Sequence, residues 1–108
     1  QQKSVGNFGS EIDIQPRIFS PLSGSSRYGP HARISFALQN TSLVTVKIYN
    51  SAGRLKKVLT ESISMQSGSN IITWDGRDDD GQFCVSGLYI VTIEAEGKVW
   101  QKTVVIRN

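Results

Sequence analysis

Apolar residues in this chain return at every second position, and no stretch sustains the three-to-four spacing of a helix. Ile34, Phe36 and Leu38 alternate with Arg33, Ser35 and Ala37, and Val44, Val46 and Ile48 alternate with Thr45, Lys47 and Tyr49. A period of two sends neighbouring side chains to opposite faces of an extended strand, so one face can be buried while the other meets water. The same signal marks residues 12–15, 54–60, 70–74, 85–94 and 98–106. Between these runs lie polar and glycine-bearing breaks: Asn40-Thr41-Ser42, Asn50-Ser51-Ala52-Gly53, Ser67-Gly68-Ser69, residues 75–81, and Glu96-Gly97. Residues 51–63 are the one stretch that could be read as helical, but Val58, Thr60 and Ile63 are β-branched and the stretch starts in a hairpin turn, so no helix is expected there.

About seven strands joined by short turns argue for an all-β fold, an immunoglobulin-like (fibronectin III-like) antiparallel β-sandwich over residues 11–108. Residues 1–10 are polar and read as a linker or N-terminal arm. The expected core is Ile34, Phe36, Val44, Val46, Ile48, Leu59, Ile72, Trp74, Tyr89, Val91 and Ile93. In residues 98–106 the inward face is ambiguous, because Trp100, Val104 and Ile106 compete with Val99, Thr103 and Val105. Lys56 and Lys57 are expected to face water and to discourage edge-to-edge pairing.

Composition narrows the function classes. At 108 residues the chain has the length of one domain, and it contains no run approaching ~18 apolar residues, so no membrane-inserting helix is expected. Twelve Lys and Arg against nine Asp and Glu give a net charge of +3, scattered along the chain rather than gathered as a nucleic-acid binder would gather them. Cys84 is the only cysteine and His31 the only histidine, which excludes an internal disulfide, a thiolate zinc site and any site with two His ligands. Gln1 in place of an initiator Met reads as the start of an excised or mature piece of something larger, and residues 104–108 read as an ending placed directly after the last strand.

Three motifs carry a family resemblance. Residues 16–21, Pro-Arg-Ile-Phe-Ser-Pro, resemble a Pro-Asn-Pro-Phe-Ser-Pro segment; residues 46–54 resemble a V-x-I-Y-N/D-x-x-G-R hairpin; and Trp74-Asp75-Gly76-Arg77-Asp78-Asp79-Asp80-Gly81 with Ser86-Gly87-Leu88-Tyr89 resembles W-D-G-x-D-x-x-G followed by S-G-x-Y. Together they resemble the Ig-like domain of flagellar hook-capping proteins, which grades into the type A C-terminal sorting domains of type IX secretion. The likeness runs over residues 12–108, with Arg17 and Ile18 departing from Asn-Pro and residues 22–30 lacking an acidic Asn-Gly-Asp-Gly. Its signature positions here are Pro16, Phe19, Tyr49, Gly53, Trp74, Asp75, Gly76, Gly81, Gly87 and Tyr89.

Each of those positions also has a role in holding the fold. Trp74 ends a strand with its ring inward, and Asp75 can accept from the backbone of the loop that follows. Gly76 and Gly81 suit backbone conformations that other residues avoid, and Gly87 allows a kink where a long strand begins. Asn50 and Gly53 serve the other hairpin.

The chemical candidates are weak beside this. Asp75, Asp78 and Asp80 could offer oxygens to calcium, but placing Gly81 at the invariant glycine of an EF-hand puts Gly76 at the first ligand position and Gly87 at the last. A solvated acidic turn is the expected reading, with no cofactor. Cys84 has no base near it in sequence, and His31 is expected on a surface loop. Phe8, Phe19 and Tyr28 are expected to plug one end of the sandwich, and an Asn–Lys crosslink is disfavoured because every Lys but Lys102 falls at an exposed position.

No nucleophile–base pair or metal constellation stands at a useful spacing, so no catalytic residues are expected. The resemblance implies a non-catalytic C-terminal module of an exported bacterial protein, secreted or at the cell surface, used for sorting, attachment or spacing. Its partners would be other protein domains or the secretion and surface machinery. The alternatives are an assembly domain like that of the hook cap, or a calcium-stabilised adhesion or accessory module of a secreted enzyme.

Overall fold

The computed structural model describes residues 12–22 and 29–108, so the expected arm at 1–10, Phe8 and Tyr28 lie outside the described residues. The strands are β1 (Asp13–Gln15), β2 (Ile18–Phe19), β3 (Ala32–Leu38), β4 (Ser42–Asn50), β5 (Leu55–Met65), β6 (Gly68–Trp74), β7 (Gly87–Ala95) and β8 (Lys98–Ile106). They form two sheets, β1-β3-β6 and β2-β8-β7-β4-β5, which face each other across one core as an immunoglobulin-type sandwich.

The alternation seen in the sequence becomes burial. In β3, Ala32, Ile34, Phe36 and Leu38 are buried, and in β4 and β7 so are Val44, Val46, Ile48, Tyr89, Val91 and Ile93. On β8 the even positions win: Val104 and Ile106 are buried and Trp100 packs against the core, while Val99 stands in water. Leu59 and Ile72 are half-buried at the core margin rather than within it. Ile12, Ile14, Phe19, Ala95 and Cys84 complete the interior.

Two further differences concern strand pairing. An eighth strand, β2, lies inside the Pro16–Pro21 segment and pairs parallel with β8, Ile18 opposite Val105 and Phe19 opposite Ile106. That makes the larger sheet mixed. Val105 and Arg107 N–H donate to the carbonyls of Arg17 and Phe19, and at two residues the strand is too short to leave a periodic trace. The peptide bond between Gln15 and Pro16, where β1 gives way to this segment, is cis.

On β5 the register against β4 shifts at three places. A bulge exchanges which residues face inward, so Lys56 and Lys57 are half-buried while Leu55 is 47% exposed, the reverse of a regular strand. Side chains close the gaps in the ladder: Thr60 Oγ1 donates to the Val44 carbonyl at 3.2 Å, and Ser62 N–H donates to Thr45 Oγ1 at 3.0 Å.

Candidate functional site

The corner of the sandwich where Trp74 ends β6 gathers most of the signature residues. Trp74 is fully buried, with the Phe19 ring edge-on at 5.5 Å between centroids and the Tyr89 ring edge-on at 5.7 Å. Its indole N–H donates to the Arg77 carbonyl at 2.9 Å, so the buried ring also fixes the start of the loop. Asp75 Oδ1 accepts from Arg77 N–H at 3.1 Å, as turn chemistry predicts. Gly76 has φ +82, and a Cβ there would sit 2.4 Å from Pro21 Cγ. Only glycine lets the loop and the Pro21 ring come this close.

The acidic run is committed to its own loop. Asp78 Oδ1 accepts from Asp80 N–H and Gln82 N–H, and Gly81 N–H donates to the Asp78 carbonyl. Asp79 turns toward β5: its N–H donates to the Lys56 carbonyl, its Oδ1 accepts from Val58 N–H at 3.2 Å, and Lys57 Nζ stands 3.8 Å away. Arg77 lies over the Phe83 ring at 4.1 Å and donates from Nη1 to the Gly81 carbonyl. Among the described residues no three His, Cys, Asp or Glu side chains come together as metal ligands, and the candidates Asp75, Asp78 and Asp80 do not converge on one point.

Cys84 is buried beside the Tyr89 hydroxyl, which donates to the Val85 carbonyl at 2.6 Å. Burial, and next the Asp78 charge, push the thiol above its ordinary value, which disfavours the reactive thiolate. Burial, reinforced by Cys84, pushes Tyr89 up to about 12. His31 is exposed ahead of β3. Beyond the loop, Asn108 joins this corner: its Oδ1 accepts from Leu22 N–H, its N–H donates to Ser86 Oγ, and Ser20 Oγ donates to the Arg107 carbonyl. At the second hairpin, Asn50 Oδ1 accepts from Ala52 N–H and Arg54 N–H around Gly53 at φ +84. Gly87 opens β7 opposite Ile106.

A different kind of feature covers the outside of the larger sheet. Tyr49 lies opposite both Ile90 and Leu55, and Leu88 lies opposite Val105. Since Leu88 and Ile90 share a face of β7, these five side chains form an apolar row across β8, β7, β4 and β5 on the side away from the core, with Leu88 45% exposed. Antiparallel sheets ordinarily turn polar residues to solvent there. At the far end of the same sheet an open groove of about 300 Å³ is lined by residues including Leu43, Thr45, Ser62, Glu94 and Val99. Sequence reading placed Tyr49 in a motif but missed the row, which needs the registers of three strand pairs to be known.

The family model for the FlgD Ig-like domain matches residues 26–98. The chain belongs to the FlgD Ig-like domain family. No curated protein sequence matches it. Among solved structures this FlgD Ig-like domain is similar to PorZ, an essential bacterial surface component of the type IX secretion system of Porphyromonas gingivalis, at TM-score 0.63 and 20% identity over 98% of this chain and 13% of PorZ. It is similar to FLGD from P. aeruginosa at TM-score 0.54 and 24% identity, covering 69% of this chain and 61% of that one. A third likeness is the alkylpurine DNA glycosylase AlkC of Pseudomonas fluorescens, solved bound to DNA containing an abasic site analogue, at TM-score 0.53 and 17% identity over 91% of this chain and 31% of AlkC. At these identities the likeness is one of fold, and the chain spans less than two thirds of each of these proteins.

Proposed function

We propose that this domain is a non-catalytic protein-assembly module of an exported bacterial protein, serving there in sorting, surface attachment or spacing, and that the outer face of the larger sheet meets its partner. The observation that carries this is the apolar row of Val105, Leu88, Ile90, Tyr49 and Leu55 on a face with no core to cover. Exposed apolar surface rimmed by polar residues is the ordinary footprint of a protein–protein contact. The signature residues support the non-catalytic part, because Trp74, Asp75 and Tyr89 commit their polar groups to the backbone of neighbouring turns. Extracellular placement is supported by the likeness to PorZ, described as a surface component of a secretion system.

The family match equally favours a second reading, a protein–protein assembly domain like that of the flagellar hook cap. One experiment separates them. Residues 1–108 are fused to an exported reporter in the source organism, alongside a Leu55→Asp, Leu88→Asp double variant. Surface retention of the first and release of the second is expected. Equal retention of both, or release of both, would refute the proposal, and recovery of the fusion in the flagellar fraction would select the second reading.

A further inference from the structure

The two sheets have four edges, and three of them are guarded. β2 is two residues long, β1 is three residues long and stops at Pro16, and β5 carries bulges, Lys56, Lys57 and the Asp79 loop fastened along it. Short strands, bulges and lysines are the usual devices that prevent edge-to-edge pairing. β6 has none. It is seven residues of Gly-Ser-Asn-Ile-Ile-Thr-Trp, without charge or proline, and its register with β3 runs unbroken from Ala32 opposite Trp74 to Leu38 opposite Gly68. Among the described residues no strand pairs with its outer side. At its middle Ile71 is 55% exposed.

We propose that β6 pairs antiparallel with β6 of a second copy of this chain, across a two-fold axis passing beside Ile71. A two-fold contact brings the same surface from each copy together, so the strand must complement itself. Centred on Ile71, it does. Ile71 faces its own counterpart, Ser69 faces Thr73 on the same solvent side, and Asn70 faces Ile72. Matched β-branched and hydroxyl-bearing side chains are favourable cross-strand neighbours.

Self-complementarity points to a second copy as the occupant, and the absence of charge along β6 leaves nothing at the contact to oppose it. The protein is net positive, so two copies associate only where like charges do not meet. The first charged residue inward from Ile71's face is Arg33, one strand away opposite Thr73. The antiparallel arrangement places the two Arg33 side chains on opposite sides of the axis, each displaced two residues from it and one strand inward. A seven-residue edge buries less than the roughly 1,200 Å² of a standard interface, so the dimer is weak and concentration-dependent. It lies on the sheet opposite the Tyr49 face and can fail or succeed independently of that docking surface.

Sedimentation velocity of the full chain, from micromolar to millimolar concentration, tests this. The wild type should move from monomer toward dimer. Ile71→Lys and Ile71→Glu, with melting temperatures close to wild type, should each remain monomeric, and an equimolar mixture of the two should associate because Lys and Glu then meet across the axis. A wild type that stays monomeric throughout, single variants that dimerise as it does, or a mixture that stays monomeric would each overturn the proposal. So would dimerisation abolished by Leu88→Asp, which would move the contact to the other face.

Discussion

Trp74 joins two stretches of chain distant from it in sequence, since Phe19 and Tyr89 flank its ring, and its N–H donates to the carbonyl of Arg77 in the loop that follows. Trp74→Ala removes a fully buried ring and leaves both neighbours without a face to pack on, a loss of about 3–5 kcal/mol read as a lowered urea midpoint. Gly76→Ala should be almost as damaging for a different reason. It adds only a methyl, but that methyl collides with Pro21 and the backbone sits at φ +82, so cavity-type arguments would rank it wrongly as mild. Tyr89 predicts an alkaline limb. Its ionisation lies near 10.0 in the open chain and about 12 in the folded one, so between those values the unfolded state loses its proton first. Stability from this group is complete below about pH 10 and falls as pH rises toward 12. Urea melts across that range should show the decline, and Tyr89→Phe should flatten it while losing about 1 kcal/mol at neutral pH with the bond to Val85.

At the scale of elements, the loop after β6 and the strand β5 behave as one unit because Asp79 fastens them. Asp79→Ala should leave the melting temperature nearly unchanged, since the Asp79 carboxylate is itself exposed and its ion pair with Lys57 is long, yet speed hydrogen exchange at Val58, whose N–H it accepts. What could be read from sequence divides along the same line. The strands β3, β4 and β7 announce themselves because each buries one complete face, and local turn chemistry at Asn50 and Asp75 needs only residues two to four positions away. β2 leaves no trace because two residues are too few to alternate, and the half-burial of Lys56 and Lys57 leaves none because the register shifts of β5 reset its parity. The clasp from Asp79 to Val58 spans 21 residues and has no local signature.

For the whole molecule, both contact surfaces follow from what the sandwich leaves open: an apolar outer face on one sheet and an unguarded edge on the other. The acidic loop between them is expected to be indifferent to divalent ions. Melting temperatures in calcium and in EDTA should coincide, because Asp78 and Asp79 already accept backbone N–H groups; a rise with calcium would restore the metal reading. The pairing of β2 with β8 has one more consequence, and it concerns the order of events. Within this domain an early strand, β2, finds its place only beside β8, six strands later in the chain. Until β8 is in place the carbonyls of Arg17 and Phe19 lack their N–H donors, so the sandwich is closed only when the two sequence extremes of the domain meet.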